Sequence, residues 1–446
     1  MKFSKSDFGP DFKWGVSSSA YQTEGGWDAD GKGKSIWDVF SNIKGKIYKY
    51  QNGNIACDFY HRYPQDLELL NRLGIPNYRF SLSWSRILPA GTKTVNFAGI
   101  NFYNRVIDHC LKLGIEPWIT LYHWDLPYEL EKKGGWTNRD IIGLFCDYVN
   151  VCIKYFGDRV KYWIILNEPL VFTGAGYYLG VHAPGQKGMK NFLAAIHHAA
   201  LCQAEGGRVV RSILTDACIG TTFSCSLIQP QGKSLPDMMA AQRVDAFLNR
   251  MFVEPLAGLG YPFSDLKFLR RMEPFIKSGD ENKLAFNMDF IGVQNYTREI
   301  VASSCIRPVI KAKVIKAEKR NVETSVMNWE VYPESLHYML TKFSKYKSFK
   351  EIIVTESGVA FPDVVHEGNI NDEKRRYYLE QCIKQVLKSR QEGVNVNGYF
   401  VWSLTDNFEW AEGYKPRFGL VYINFETQER IIKESGYWFS RLLRDE

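Results

Sequence analysis

The sequence predicts a single (β/α)8 barrel, an α/β fold in which eight parallel strands alternate with eight helices. Short apolar stretches rich in β-branched and aromatic residues alternate along the chain with longer amphipathic stretches, as repeated β-α units do. No Gly-x-Gly-x-x-Gly turn follows any of these stretches, and no Pro/Gly-rich linker divides the 446 residues. These absences count against an open doubly wound sheet. We expect one domain over residues 1–446, with elaborated loops after the strands.

Eight stretches fit strands that are buried on both faces, because their apolar runs leave no polar side. They span residues 12–16, 77–81, 116–121, 162–166, 217–221, 290–293, 351–355 and 398–402. Amphipathic stretches predict the helices that follow them, at 65–73, 97–113, 138–156, 191–213, 240–252, 332–345, 372–392 and 431–443.

Two helix-to-strand joints share a signature that supports these boundaries. In Leu73-Gly-Ile-Pro76 and Leu113-Gly-Ile-Glu-Pro117, a glycine closes the helix and a proline opens the strand.

Composition is that of an ordinary globular protein, with 45% hydrophobic and 24% charged residues. The net charge of +7 is mildly basic, and its one Lys-rich stretch, 311–320, fits a solvated loop or edge strand better than a nucleic-acid patch. Nine cysteines without a Cys-x-x-Cys pair indicate reduced thiols, several of them (Cys146, Cys152, Cys202 and Cys382) on apolar helix faces. No stretch fits a signal peptide or a membrane span, so we expect a cytoplasmic protein with no membrane or nucleic-acid partner.

Two glutamates, Glu168 and Glu356, directly follow the fourth and seventh predicted strands. In a barrel of this kind the carboxyl ends of all strands meet on one face, so we expect the two carboxylates to lie together there. Taken alone, each motif is equally compatible with an unrelated surface glutamate at a strand end.

Polar and aromatic residues are concentrated at the ends of the other predicted strands. No cluster has metal-ligand spacing, and the adjacent His197 and His198 would face different ways on a helix, so no metal or cofactor is expected. Carboxylates, amides and indole rings together suit a neutral, hydroxyl-rich ligand, and paired carboxylates suit sugar hydrolysis. These residues are Gln22, Glu24, Arg79, His123, Trp124, Asp125, Asn167, Gln294, Asn295, Tyr296, Trp402, Glu409 and Trp410.

Six motifs occur in order between residue 12 and about residue 425. They are FKWGVSSSAYQTEG at 12–25, YRFSLSWSRI at 78–87, LYHWDLP at 121–127, NEP at 167–169, TESG at 355–358 and YFVWSLTDNFEW at 399–410. Together they resemble the motifs of the family 1 glycoside hydrolases, the β-glucosidase family.

The resemblance implies a retaining β-glycosidase on a TIM barrel, with Glu168 as the acid/base and Glu356 as the nucleophile. Retention needs the two carboxyl groups about 5 to 5.5 Å apart. The resemblance also assigns Arg79, Gln294 and Asn295 to supporting roles. It assigns to substrate binding Gln22, His123, Trp124, Asn167, Tyr296, Trp402, Glu409, Trp410 and Phe418.

Simple electrostatics supports this division of roles. Arg79 close to Glu356 would stabilise its ionised form, whereas Glu168, near that negative charge and partly desolvated, should hold its proton more tightly. A structural role stays open for three sets of residues that are predicted to bind the sugar. The tryptophans could be core residues, His123 could be a structural histidine and Gln22 could cap a loop.

Three residues depart from the usual family pattern. Gln294 stands where an asparagine is expected, Ser357 replaces the asparagine after the nucleophile, and Leu166 precedes Asn167. We expect altered hydrogen bonding around the site with activity retained. A 6-phosphoglycosidase is disfavoured, because Glu409 would repel a phosphate.

The most specific expectation is an exo-acting β-glucosidase that removes terminal β-D-glucosyl residues from a small β-glucoside or oligosaccharide. A β-galactosidase or β-fucosidase, a transglycosylase and a non-catalytic sugar-binding relative stay open, as does assembly into a homo-oligomer. Contacts to the leaving group are expected from the loops at 172–188 and 298–327.

Overall fold

A closed ring of eight parallel strands forms the centre of the computed structural model, which describes residues 3–307 and 309–446. The predicted barrel is therefore confirmed. Successive strands pair around the ring, and β8 pairs with β1 to close it. The strands are β1 Lys13–Ser17, β2 Asn77–Ser81, β3 Glu116–Tyr122, β4 Tyr162–Asn167, β5 Cys218–Pro230, β6 Phe290–Ser303, β7 Glu351–Ser357 and β8 Val396–Trp402.

Each barrel strand is followed by one longer helix. These are α1 Phe59–Arg72, α2 Phe97–Lys112, α3 Ile141–Phe156, α4 Met189–Ile213, α5 Leu235–Asp245, α6 Ser335–Phe343, α7 Glu373–Gln391 and α8 Glu434–Leu443. Short helical segments lie in the connections at Lys5–Phe8, Ala20–Thr23, Ala29–Gly31, Ile36–Phe40, Tyr48–Tyr50, Trp84–Ile87, Tyr128–Glu131, Gly135–Thr137, Pro169–Thr173, Gly174–Leu179, Ala246–Arg250, Val253–Leu256, Lys267–Phe275, Asp280–Leu284, Ala317–Lys319 and Trp410–Glu412. None of the helices described in 3–307 and 309–446 is long and apolar enough to cross a membrane.

Two strands are much longer than predicted. The pairing of β5 with β6 continues beyond the barrel, from Leu227 opposite Arg298 to Pro230 opposite Val301. A short strand at Ala312–Val314 adds to the edge of β6, so the Lys-rich stretch is an edge strand in part, as expected. The extensions are partly exposed and carry polar residues, which is why no buried-strand pattern marked them.

Two further elements differ from the prediction. The helix expected at 240–252 begins earlier, because Ser234 caps its amino end by accepting a hydrogen bond from the Asp237 backbone at 3.3 Å, and Pro236 sits in its first turn. A hairpin of Val421–Ile423 and Arg430–Ile432 precedes α8, which begins at Glu434 and not at 431.

Large aromatic side chains fill the interior of the barrel. Trp118 stacks on Tyr162 with ring centroids 3.8 Å apart, and Phe400 packs against Trp118. Two strand glycines make room for these rings: a Cβ on Gly15 would lie 2.4 Å from Phe400, and one on Gly220 would lie 2.3 Å from Phe290. The barrel is thus a packed core, and polar chemistry is left to the strand ends.

The predicted cysteine placement is largely confirmed. All nine cysteines are free thiols. Of the four expected on apolar helix faces, Cys152, Cys202 and Cys382 are buried and Cys146 is half-buried.

Replacing Phe400 by alanine should lower the free energy of unfolding by about 3 to 5 kcal/mol, because it leaves a cavity inside the ring. Phe97→Ala is the matched control, since Phe97 is 61% exposed and Phe400 is 0% exposed. That control should change stability by no more than about 0.5 kcal/mol. Urea denaturation followed by tryptophan fluorescence measures both, and equal effects would contradict the assignment of Phe400 to the core.

Candidate active site

Glu168 and Glu356 both lie at the carboxyl end of the barrel, as predicted. Glu356 is the penultimate residue of β7, and Glu168 directly follows β4. Glu168 has a positive φ of 46° and begins the helix Pro169–Thr173, and its backbone N–H donates to the Thr222 carbonyl at 3.0 Å. The exposed fractions of Glu168 and Glu356 are only 7% and 4%, and both line one cavity of about 250 Å³.

Arg79 and Tyr296 hold the Glu356 carboxylate. Arg79 Nη1 donates to Oε1 at 2.5 Å, and the Tyr296 hydroxyl donates to Oε2 at 2.7 Å. Burial raises the pKa of Glu356, whereas the charge of Arg79 and both hydrogen bonds oppose that rise. Each oxygen of this carboxylate therefore has a donor that favours its ionised form.

Glu168 has a different environment. Burial and the nearby charge of Glu356 raise the pKa of Glu168 to about 8, with Ser224 and Arg79 acting in the opposite direction. At neutral pH this carboxyl therefore holds its proton. Burial acts to raise the pKa of both carboxyl groups, but only Glu356 has a cation and a hydroxyl donor bound to its two oxygens, and this difference in environment is typical of a carboxylate paired with an acid.

Asn167 connects the residues around the two glutamates. Its Oδ1 accepts hydrogen bonds from Arg79 Nη2 at 2.5 Å, from Gln294 Nε2 at 2.9 Å and from Thr222 Oγ1 at 3.1 Å. Its Nδ2 must then be the donor to His123 Nε2, which lies 3.0 Å away. The Asn167 side chain is thereby fixed in one orientation.

That contact also fixes the tautomer of His123. Burial lowers the pKa of His123 well below its ordinary value, and the charge of Arg79 lowers it further, so the ring is neutral. Since Nε2 accepts from Asn167, the proton is on Nδ1. Within 3–307 and 309–446, Nδ1 has no hydrogen-bond partner. His123 is one of the residues that line the cavity.

Gln22 and Glu409 also line the cavity. The Gln22 amide nitrogen donates to Asn407 Oδ1 at 2.9 Å and to the Phe408 carbonyl at 3.0 Å, so both of its N–H groups are used. Trp402 Nε1 donates to Glu409 Oε1 at 3.1 Å. Burial raises the pKa of Glu409 to about 8, and the charge of Glu356 contributes to the rise.

A buried ion cluster lies behind the loop that carries Glu409. Asp406 accepts from Lys433 Nζ at 2.6 Å and from Arg417 Nη1 at 2.9 Å, and Lys433 also pairs with Asp363 at 2.5 Å. Arg375 contacts Asp363 at 3.0 Å on the far side of this cluster. The loop after β8 is therefore attached to the segment that precedes α8 and to the loop after β7.

Aromatic side chains enclose the cavity. Trp410 packs against Trp124 with ring centroids 4.5 Å apart, and Phe418 lies 6.0 Å from Tyr296. Flat indole faces beside carboxylates and amides fit the apolar C–H face and the hydroxyls of a pyranose. The predicted site residues that line the cavity are Gln22, His123, Trp124, Glu168, Tyr296, Glu356, Trp402, Glu409, Trp410 and Phe418.

Asn295 does not face the cavity. Its amide nitrogen donates to the Cys225 carbonyl, the Thr297 carbonyl and Ser335 Oγ, which lie outside the site. Neighbouring residues in a strand point to opposite faces, so Asn295 turns outward where Gln294 turns inward. Its contribution is to hold β6 against β5 and against Ser335 at the start of α6.

The three residues that depart from the family pattern lie on barrel strands near the site, Leu166 on β4, Gln294 on β6 and Ser357 on β7. The longer side chain of Gln294 reaches Asn167, and its Oε1 has no partner in the described part of the chain. The Ser357 hydroxyl likewise has none there. Leu166 is fully buried in the core.

Seven cavity residues were not predicted individually: Val171, His182, Ser224, Met327, Trp329, Ala411 and Glu412. His182 and Met327 belong to the loops expected to contact a leaving group. Trp329 lies just beyond the second of these loops, and Ser224 lies in the unpredicted extension of β5. No motif marked any of the seven.

Groups of three or more potential metal ligands are absent from the described residues. His197 contacts Asp280 at 2.8 Å and the Tyr261 hydroxyl at 3.1 Å, and His198 donates to the Trp136 carbonyl at 2.9 Å. The two histidines thus face different partners.

Comparison with known proteins agrees with the family resemblance of the sequence motifs. A family model described as glycosyl hydrolase family 1 matches residues 4–446. Beta-glucosidase A of Thermotoga maritima is 42% identical, with 97% of each chain covered, and Beta-glucosidase A of Acetivibrio thermocellus is 39% identical, with 99% of each covered. The solved family 1 β-glucosidase from Thermotoga maritima superposes with a TM-score of 0.95 at 41% identity, covering 98% of each chain. This chain therefore belongs to glycosyl hydrolase family 1.

Proposed function

We propose that this protein is a retaining exo-β-glucosidase that removes terminal β-D-glucosyl residues through a covalent glycosyl-enzyme. One observation carries the proposal: a proton-holding Glu168 and an Arg79-bound Glu356 share a buried cavity walled by indole rings. The names of the similar proteins support the same substrate class.

In the first step, a Glu356 oxygen bonds to the anomeric carbon as the bond from that carbon to the leaving oxygen breaks. Glu168 gives its proton to the leaving oxygen, so the leaving group departs as a neutral alcohol. Arg79 and Tyr296 keep the attacking carboxylate ionised and oriented until the bond forms.

In the second step, Glu168 changes role. Once Glu356 is esterified its negative charge is gone, and with it one of the causes that raise the pKa of Glu168. Glu168 then accepts a proton from water as the water oxygen attacks the anomeric carbon and the ester bond breaks. Two inversions give net retention.

Recognition of the sugar follows from the hydrogen-bonding capacity that the protein leaves free. Neutral His123 offers its Nδ1–H to a hydroxyl. Both Gln22 N–H groups are committed and Oε1 already accepts from Ser19 Oγ at 2.6 Å, so Gln22 can only accept, through the second lone pair of Oε1. The Glu409 carboxyl adds a further partner beside the Trp402 indole.

A 6-phosphorylated sugar fits this cavity poorly. Its lining includes four carboxyl groups, those of Glu168, Glu356, Glu409 and Glu412, and no Lys or Arg. A phosphate dianion would therefore be desolvated beside the ionised Glu356, with no cationic side chain in the lining to pair with it.

Three expectations about the whole protein stay predictions: its single domain, its location and its oligomeric state. A single catalytic domain over residues 1–446 is supported by a core cluster that runs from Phe8 to Leu443. Cytoplasmic location and assembly into a homo-oligomer rest on the sequence alone.

The stereochemistry tests the mechanism directly. Hydrolysis of 4-nitrophenyl β-D-glucoside, followed by proton NMR from the first minute, should release β-glucose before mutarotation produces the α-anomer. Initial release of α-glucose would contradict the double displacement.

The pH dependence tests the role of Glu168. Because burial and Glu356 raise its pKa to about 8, kcat/KM should fall as the pH rises through about 8 and the acid loses its proton. Glu168→Gln should abolish this alkaline limb. It should also lower kcat/KM by about 10² to 10⁴ for a poor leaving group and much less for 2,4-dinitrophenyl β-glucoside, which needs no acid. An unchanged pH profile in Glu168→Gln would remove Glu168 from the acid role.

Azide rescue distinguishes the roles of the two glutamates. Removing either side chain lets azide attack the anomeric carbon, but from a different face of the sugar in each variant. Glu356→Gly should lose turnover and regain it with azide, giving the inverted α-glucosyl azide. Glu168→Gly, the matched variant, should give the retained β-glucosyl azide, since Glu356 still forms the glycosyl-enzyme. Product NMR distinguishes the two, and β-azide from Glu356→Gly would overturn the assignment.

A further inference from the structure

Exposed apolar side chains are concentrated on the outer face of α5. Ala240, on the inner face of this helix, packs with Val301 of β6. The outer face carries three large apolar side chains, which have exposed fractions of 49% to 68%. They are Leu235, Met238 and Met239. Because residues i, i+3 and i+4 lie on one side of a helix, the three form a continuous apolar stripe.

The chain that follows β6 adds to this stripe. The Asp237 carboxylate accepts from the Ser303 backbone N–H at 2.7 Å, and Arg243 Nε donates to the Ile310 carbonyl at 2.7 Å. Both contacts are made by α5, so Ile306, which lies between them in the chain, is held beside the helix. Its exposed fraction of 85% is the highest among the large hydrophobic side chains of the described residues.

The same two stretches of chain are strongly basic. Residues 231–243 and 303–314 contain five cationic residues and one acid, a net charge of +4 against +7 for the whole chain. The acid is Asp237, whose carboxylate already binds the Ser303 N–H. Four of the cationic residues are exposed: Lys233, Arg307, Lys311 and Lys313. These four residues, the apolar stripe and Ile306 form what we call the basic apolar surface.

An anionic lipid bilayer complements this surface. Apolar side chains enter the boundary between headgroups and acyl chains, and cations near a bilayer are attracted by negatively charged lipids. Side chains that project from a helix and a neighbouring loop fit a fluid bilayer, whereas a protein partner needs a complementary shape. A symmetric pair of copies would bring like charges together, because each copy contributes the same surface.

We propose that the basic apolar surface binds peripherally to bilayers that contain anionic lipid. The expectation of no membrane partner rested on the lack of a spanning stretch, and a protein that lies on a bilayer needs none. The extensions of β5 and β6, against which α5 packs, leave the barrel at its carboxyl end. The bound protein therefore holds its active-site end near the bilayer.

Sedimentation with lipid vesicles tests the proposal. The native chain should co-sediment with phosphatidylcholine vesicles that contain about 30% phosphatidylglycerol, and not with phosphatidylcholine alone. Raising the NaCl concentration from about 0.05 M to about 0.5 M should release most of the bound protein, because salt screens the attraction.

Removing two cations tests the electrostatic part of the binding. Lys311→Gln/Lys313→Gln should lower the apparent affinity for the anionic vesicles about 25-fold, since each cation near the bilayer contributes about fivefold. Lys112→Gln/Lys154→Gln is the matched control, with the same change of charge on exposed lysines in the last turns of α2 and α3. These helix ends lie at the amino end of the barrel, so the control should bind as the native chain does.

Ile306→Ser tests the apolar part. It should lower the apparent affinity about tenfold, because less apolar area is buried in the bilayer. Ile213→Ser is the matched control, since Ile213 is 51% exposed at the end of α4, at the opposite end of the barrel. All of these variants should keep the native rate of aryl glucoside hydrolysis, because none of the changed residues lines the active-site cavity.

Lack of binding to anionic vesicles, or equal losses in the surface variants and their controls, would overturn the proposal. So would a native dimer in size-exclusion chromatography that Ile306→Ser converts to a monomer, because the surface would then belong to a second copy. Complete displacement from the vesicles by soluble polyglutamate would overturn it in favour of an acidic protein partner. The proposed glucosidase function is measured without vesicles and fails independently, if the aryl glucoside is not hydrolysed with retention.

Discussion

Arg79 is a cation with no exposed surface, and the site is arranged around its need for partners. Nε donates to Thr120 Oγ1 at 3.0 Å, Nη1 to Glu356 at 2.5 Å and Nη2 to Asn167 at 2.5 Å. A buried ion pair is costly unless its geometry is good and its remaining donors are satisfied, and removing one partner costs about 3 to 5 kcal/mol. Arg79 on β2 therefore fixes residues of β3, β4 and β7 at once. The ionised state of Glu356, the orientation of Asn167 and the tautomer of His123 all follow from it.

The same site concentrates destabilising features. Glu168 and Glu409 both have a pKa raised to about 8 by burial, and Glu168 also has a positive φ. A carboxyl whose pKa is higher in the folded than in the unfolded chain makes folding less favourable as the pH rises from the ordinary value toward the raised one. The packed aromatic interior of the barrel offsets this cost. Stability and chemistry are thus supplied by different layers of one barrel.

Much of this arrangement could be predicted from sequence because two physical signals are strong. Runs without a polar face mark strands buried on both sides, and parallel strands bring their carboxyl ends together, which placed Glu168 and Glu356 at one face. Features without such a strong sequence signal were not predicted correctly. The extensions of β5 and β6 are partly exposed, so no apolar run marks them. Asn295 was grouped with Gln294 although strand alternation points them apart, and Trp329 and His182 come from loops whose path depends on tertiary contacts.

The contact between Lys433 and Asp406 has a consequence for synthesis on the ribosome. Chains emerge amino end first, yet the loop that presents Glu409 is anchored by a lysine that follows the last barrel strand, and the ring closes only when Lys13 on β1 pairs with Gly398 on β8. Such long-range closure is slow compared with local contacts. The half-made barrel exposes strand edges until β8 has been made, and Asp406 lacks its lysine partner until residue 433 follows, so the incomplete chain is prone to aggregation during translation.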